Sequence, residues 1–205
     1  WEYLDLSGKG VNRLVDAFPD ALIDGRSLLV PWTLANSRRL TALRAPAVSP
    51  IIRDYEFSGR FEPMPHQIRI ADFIAMNRRC YVFAEQGTGK TLASLWAIDY
   101  LKRMQDLDRV LVICPLSIVR ESWGDSLRKH FPHLSWSVLY GTPSKRRQMA
   151  NNNHDIHIIN FDGVGTIREE LAANKYDLVL VDESTAAKTA STLRWKNINA
   201  IIPPT

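Results

Sequence analysis

From about Met64 onward the chain alternates short apolar runs with longer amphipathic stretches. The runs are 80–84, Val110–Cys114, 136–140, Ile156–Asn160 and Leu178–Val181. Most are rich in β-branched residues and apolar at nearly every position, the pattern of strands buried on both faces of a parallel sheet. Between them the spacing predicts helices near 66–77, 90–104, 116–130, 143–150, 166–173 and 190–200. Thr142-Pro143 supplies a helix cap with proline in the first turn, and Ile70, Phe73 and Ile74 form a core-facing stripe. Leu92, Leu95, Trp96 and Leu101 read as core and not as a stacking platform. Strand–helix repetition of this kind predicts a doubly wound α/β domain over residues 61–205.

Residues 1–60 follow a different pattern and read as a small α+β accessory region. Leu14, Val15 and Phe18 form one amphipathic face, Asp24-Gly25 a turn and 31–43 a short helix. The proline-containing stretch 45–50 reads as a linker, and Asn151-Asn152-Asn153 as a polar loop.

Composition narrows the class. At 205 residues and 23.3 kDa, with 45% apolar and 23% charged residues, the chain is ordinary globular protein. Disorder, collagen and coiled coil are excluded. No uninterrupted apolar run reaches the length of a membrane span, so no membrane partner is expected. The chain opens Trp1-Glu2-Tyr3 without methionine or a basic-then-apolar leader, so we expect no signal peptide and a fragment of a longer protein. Cys80 and Cys114 sit in or beside apolar runs without a Cys-x-x-Cys pair, which implies buried reduced thiols and a cytoplasmic location. A net charge of +4 permits an acidic partner such as nucleic acid without demanding one.

The strongest chemical signal is Ala84-Glu85-Gln86-Gly87-Thr88-Gly89-Lys90-Thr91, between a predicted strand and a predicted helix. Gly87 and Gly89 let backbone N–H groups turn inward around phosphates, and the helix N-terminus adds partial positive charge. Lys90 can reach the β and γ phosphates of ATP, and the Thr91 hydroxyl can ligate Mg²⁺. The second signal is Leu178-Val-Leu-Val-Asp182-Glu183, 92 residues after Lys90. A buried strand ending in carboxylate puts Asp182 where it can hold Mg²⁺, and Glu183 where it can orient or deprotonate water. The paired carboxylates favour hydrolysis over phosphoryl transfer to another substrate. The third is Pro65-His66-Gln67, whose glutamine amide can select adenine by donating and accepting; an exposed helix start explains the tripeptide as well.

Taken in order, these motifs together with Ile113-Cys-Pro-Leu-Ser-Ile-Val-Arg-Glu-Ser-Trp123 and Ile158-Ile-Asn-Phe-Asp-Gly-Val164 resemble the superfamily-two helicases and translocases. Within them the chain looks most like Swi/Snf-type ATPases, particularly the compact versions phages encode; in that superfamily the phosphate loop often begins with alanine, as Ala84 does here. The similarity covers about residues 61–202 and implies a RecA-like P-loop NTPase lobe. By this resemblance Gln67 reads adenine, Gly87, Thr88, Gly89, Lys90 and Thr91 hold the phosphates, and Asp182 and Glu183 serve metal and water. Ser117, Arg120 and Asn160 match segments that contact a nucleic-acid backbone, contacts that fix register without reading sequence. Ser117 equally suits a helix cap, and Asn160 the end of a strand. The partners implied are DNA, duplex favoured with single strands and RNA left open, and a second RecA-like lobe of the same chain. For a phage-encoded protein the location is the host cytoplasm.

Two departures bear on mechanism. Ser184 and Thr185 stand where the family usually has Ala or Cys and then His, the histidine that couples hydrolysis to the next motif; a hydroxyl at 185 can still hydrogen-bond. The family's third motif and second lobe with its arginine fingers would lie beyond Thr205. Since such a finger is worth about 10³–10⁵ in rate, the resemblance implies weak ATP hydrolysis by this piece alone.

Other signals are set aside. Ser7-Gly8-Lys9-Gly10 and Gly163-Val164-Gly165 read as turns, and Lys145-Arg146-Arg147 as a solvated helix face. His130, His133, His154 and His157 read as ordinary surface or strand-edge histidines. The sequence therefore points to the N-terminal motor lobe of an ATP-dependent DNA translocase or helicase. The alternatives are a P-loop ATPase acting on proteins and a module that binds ATP or DNA without turnover.

Overall fold

Val110–Cys114 (β4) is apolar at all five positions, and in the computed structural model all five are buried. It lies inside a four-stranded parallel sheet of order β5-β6-β4-β7, with β5 at Trp136–Val138, β6 at Ile156–Asn160 and β7 at Leu178–Val181. Register pairs Val110 with Ile156 and Leu178, and Cys114 with Asn160. The structure describes residues 2–5, 15–45, 48–57, 59, 61–183 and 192–202. The chain divides into two compact units, Trp1–Phe57 with Pro63–Thr88, and Ser58–Glu62 with Gly89–Thr205.

In the second unit Leu111, Ile113 and Ile159 point to one face of the sheet. They join Phe161, Val164, Leu171 and Ile198, from the helices Phe161–Thr166, Arg168–Ala173 and Leu193–Asn199, in a continuous core. The alternate residues Val110, Val112 and Ile158 are equally inaccessible, so both faces are covered, as the apolar runs require. The helix Lys90–Arg103 buries every residue from Ala93 to Leu101, Trp96 among them. Truncating one such side chain to alanine costs about 2–5 kcal/mol.

The region 116–130, expected as one helix, is a π-helical turn at Val119–Gly124 followed by a short α-helix at Asp125–His130. Gly163 and Gly165, expected in a turn, lie inside the helix Phe161–Thr166. A side chain at 163 would collide with Arg146, and its Cβ would stand 2.8 Å from Asn160 Oδ1, so the glycine permits close approach.

In the first unit Glu2–Asp5 (β1), Leu22–Asp24 (β2) and Ser27–Val30 (β3) form an antiparallel sheet of order β1-β3-β2. Gly25, at φ +57°, turns the β2–β3 hairpin where Asp24-Gly25 was expected to turn. Phe18, Leu28, Val30 and Leu40 form the small core. Leu14, expected on the amphipathic face with Val15 and Phe18, lies outside the described residues, as do the residues 7–10. The expected helix at 31–43 runs Leu34–Ala42, capped by Thr33 Oγ1, which accepts from the Asn36 N–H at 3.2 Å. Pro50, placed in the linker by its sequence, instead opens the helix Pro50–Asp54. Arg38 reaches the last turn of the helix Pro65–Met76, donating from Nη2 to the Ala75 carbonyl at 2.6 Å.

The expected strand at 80–84 is absent. The segment belongs to no strand of either sheet. Tyr81 and Phe83 are 76% and 93% exposed and stack on one another at 6.2 Å. A high β propensity alone does not make a strand.

Candidate functional site

The phosphate loop takes its shape from two left-handed glycines. Gly87 has φ +78° and Gly89 φ +76°, and Gly89 is the N-cap of the helix that Lys90 opens. A Cβ at 87 would meet nothing within 4 Å, so the requirement there is conformational and not spatial. Turn conformations can bring successive N–H groups together around an anion.

In the first unit Thr88 is held from two sides. Its hydroxyl donates to the Glu85 carbonyl at 2.8 Å. Its carbonyl accepts from Gln67 Nε2 at 3.3 Å and lies 3.0 Å from His66 Nε2. Gln67 also caps its own helix, Oε1 accepting from the Met64 N–H at 3.0 Å. The amide is thus fixed at both ends yet keeps one N–H and one lone pair unspent in these bonds. His66, to which the sequence reading gave no role, proves to be a second clamp on the loop.

In the second unit the carboxyl ends of β4, β6 and β7 share one sheet edge, where α/β proteins place their ligands. Asp182 follows β7, its N–H donating to the Ile113 carbonyl at 2.8 Å. Asp182 Oδ2 accepts from the indole N–H of Trp123 at 3.0 Å, and Oδ1 from the Glu183 N–H at 2.9 Å. Glu183 is exposed and adopts φ +53°, a left-handed conformation unusual outside glycine. Thr91 Oγ1 lies 3.0 Å from Ser122 Oγ. Ser122 and Trp123, neighbours on the π-helical turn, therefore touch the two groups that the sequence offers for Mg²⁺. Neither was singled out from sequence, although Trp123 closes the motif that carried the resemblance. A hydroxyl and a carboxylate converging on one short element are hard oxygen donors and suit Mg²⁺. Burial pushes the Cys114 thiol up to about 12, with the charges of Asp182 and Glu183 adding to the effect, so it stays neutral at this edge.

Ser117 and Arg120 are exposed after β4. The π-helical turn has Ile118 at its N-cap without a side-chain bond, so Ser117 does not cap it. Asn160 ends β6 and is held by Arg146, whose Nη1 donates to Asn160 Oδ1 at 3.1 Å and to the Leu139 carbonyl at 2.7 Å. Arg146 Nε adds a bond to the Gly141 carbonyl at 3.0 Å. Of the solvated face expected at 145–147, Lys145 and Arg147 are exposed but Arg146 is buried, its donors met by the Leu139 and Gly141 carbonyls and by Asn160 Oδ1. Arg147 pairs with Glu170. His157 is buried mid-strand and not at a strand edge, its Nδ1 2.7 Å from the Tyr176 hydroxyl. His133 Nε2 lies 2.6 Å from the buried Asp99. Ser184 and Thr185 lie outside the described residues.

Fold and site together define a RecA-like P-loop NTPase lobe. Residues 30–202 match the SNF2-related domain, and the chain belongs to that family, as the N-terminal lobe of a superfamily-two Swi/Snf-type ATPase. It is 27% identical over 134 residues to protein p41 of Acyrthosiphon pisum secondary endosymbiont phage 1, covering 63% of this chain and 29% of that protein. It is 26% identical to the ATP-dependent helicase YqhH of Bacillus subtilis, over 78% of this chain and 26% of YqhH. It is 28% identical to the chromatin-remodeling ATPase INO80 of Cryptococcus neoformans, over 56% of this chain and 7% of INO80. The chain thus spans less than a third of the length of these relatives. In fold it is similar to the Sulfolobus solfataricus SWI2/SNF2 ATPase core solved in complex with dsDNA, with TM-score 0.60 and 22% identity over 70% of this chain and 31% of that one. Among the described residues no helix is long and apolar enough to cross a membrane.

Proposed function

We propose that this chain is the ATP-binding lobe of a cytoplasmic translocase that moves along duplex DNA. The observation that carries the reading is the shared sheet edge: β7 delivers Asp182 and Glu183, and two strands away β6 delivers Asn160. Groups suited to nucleotide hydrolysis and groups suited to a phosphate backbone thus stand on one edge of a rigid sheet. Gln67, with one donor and one acceptor still to offer, meets the adenine edge. Gly87, Thr88, Gly89 and Lys90 take the phosphates.

Thr91 and Asp182 hold Mg²⁺, which when bound neutralises charge on the phosphate oxygens. Glu183 orients a water and accepts its proton as the water oxygen bonds to the γ-phosphorus and the bond to ADP breaks. Ser117, Arg120 and the Asn160 amide contact the backbone of DNA. A second RecA-like lobe supplies the arginine fingers, so this lobe alone turns over slowly.

The test is steady-state ATPase of the complete gene product at low salt, without nucleic acid and with single-stranded DNA, duplex DNA or RNA. Stimulation by duplex supports a translocase, and stimulation only by single strands makes it an unwinding helicase. Indifference to all of them sinks the motor reading and favours an ATPase acting on proteins.

A further inference from the structure

The π-helical turn Val119–Gly124 has no part in the nucleotide chemistry proposed above, yet it touches that chemistry twice. π-Turns are rare, carry one more residue per turn than an α-helix, and concentrate at functional sites. This one is held firmly: Val119 and Trp123 are buried, and a Cβ on Gly124 would stand 3.2 Å from the Trp136 ring. Its consecutive residues Ser122 and Trp123 contact Thr91 and Asp182, both at 3.0 Å.

We infer that Ser122 and Trp123 are positioning residues, orienting the Thr91 hydroxyl and the Asp182 carboxylate for Mg²⁺ and acting on nucleotide only through the metal. The inference rests on the nucleotide reading above. The chemistry is directional. An indole N–H is only a donor, so it must take a lone pair of Asp182 Oδ2, while the Glu183 N–H takes one of Oδ1. The carboxylate is pinned at both oxygens, its plane fixed, with a lone pair on each oxygen left over. Ser122 Oγ can accept the Thr91 proton, which turns the Thr91 lone pairs away from Ser122 and toward a cation. Outer partners of this kind fix ligand geometry, and losing one typically costs about 10–100-fold in metal affinity.

Binding of mant-ATP to this chain, measured in EDTA and then against rising Mg²⁺, separates positioning from mere packing. Trp123→Phe keeps an aromatic ring in the buried site and removes the N–H, while leaving a smaller side chain there. It should raise the Mg²⁺ concentration for half-saturation about tenfold or more while binding in EDTA stays within about twofold. Ser122→Ala should shift the same midpoint about two- to tenfold, and Ser122→Thr should restore it. The serine pair carries the test if Trp123→Phe fails to fold. An unchanged Mg²⁺ midpoint in Trp123→Phe and Ser122→Ala, or an equal loss with and without metal, overturns the inference. Lys90→Ala, by contrast, should lose binding in both conditions. If the unaltered chain binds no mant-ATP in either, the nucleotide reading fails first and this one falls with it.

Discussion

His157 makes a prediction independent of nucleotide. It sits in the middle of β6, level with Leu111 on one side and Ser137 on the other, fully shielded from water. Its Nδ1 faces the Tyr176 hydroxyl at 2.7 Å, and Asn174 Nδ2 donates to that hydroxyl at 3.3 Å. The bond from Asn174 leaves the Tyr176 O–H able to donate to His157 Nδ1, the arrangement that suits a neutral imidazole. Burial first, then Arg109, then His154 push its pKa down from 6.5 to about 4, against one backbone bond to Asn152. In the unfolded chain the same imidazole takes its proton near 6.5.

Below 6.5, then, the unfolded state binds a proton that the folded state refuses. Stability is full above pH 6.5, falls as pH drops toward about 4, and levels off beneath it. The gap corresponds to about 3 kcal/mol, a large share of the roughly 5–15 kcal/mol that holds a domain folded. Asp155 lies outside this window. Burial raises its carboxyl, but hydrogen bonds from Lys102 and Ser135 outweigh that and lower it below 3.8, so its contribution is lost only as pH falls below 3.8.

The assay is urea unfolding from pH 7.5 to 4, comparing the parent with His157→Phe. At pH 7.5 the variant should be less stable by about 1–2 kcal/mol, because the Tyr176 hydroxyl loses its acceptor. As pH falls the gap should close and then reverse by a similar amount, since only the parent carries the titrating group. Two stability curves that stay parallel across this range would refute the reasoning, because other titrating groups act on both proteins alike.

Three further outcomes follow from the geometry. Gly163→Ala should cost about 1–3 kcal/mol in urea unfolding, because the new methyl drives against Arg146 and Asn160; Arg146→Ala in the same chain should relieve much of that cost, and strict additivity would mean the collision is avoided. Arg146→Ala alone strands the Leu139 carbonyl and frees Asn160, so it should destabilise by about 2–4 kcal/mol and weaken binding to a short DNA duplex measured by anisotropy; unchanged DNA affinity in a folded variant would remove Asn160 from the interface. In the complete protein, Lys90→Ala should abolish nucleotide binding or turnover, and Glu183→Gln should keep binding and lose turnover. Normal hydrolysis by Glu183→Gln would show that another group activates the water.

What the sequence reveals depends on whether a residue's environment is made by its own neighbours in the chain. The strands β4, β6 and β7 were legible because their positions are apolar almost throughout, His157 and Asn160 of β6 being the exceptions, and β4 is buried on both faces. The phosphate loop was legible because its conformation is local, set by Gly87 and Gly89. Residues 80–84 misled because strand propensity alone does not make a strand, and here Tyr81 and Phe83 face solvent. The hairpin Leu22–Val30 was visible only as its turn, since strands of three and four residues show too little alternation. Arg146 was misjudged because its acceptors come from the Leu139–Gly141 loop and from Asn160, none of them on its own helix.

Tethers, two of them between residues distant in the chain and one a local helix cap, organise the candidate site. Asn160 has Oδ1 tied to the Arg146 guanidinium, Asp182 has Oδ2 tied to the Trp123 indole, and Gln67 has Oε1 tied to the Met64 N–H. Each is a flexible polar side chain that we propose meets a ligand, and each has one oxygen fixed by a donor in its own unit. A side chain so held has already lost most of its rotamer freedom, and holding it on binding would otherwise cost about 0.5–1.5 kcal/mol. The tethering donor also decides which atoms remain: Arg146 leaves the Asn160 N–H groups, which suit phosphate, and Trp123 leaves lone pairs on Asp182, which suit a cation. Exchanging the tethers should therefore change ligand affinity without any ligand contact being touched. Arg146→Lys tests this directly, since an ammonium keeps the charge but loses the planar fork that serves Leu139 and Asn160 together. Its DNA affinity should fall toward that of Arg146→Ala if orientation matters, and should stay near the parent's if charge alone does.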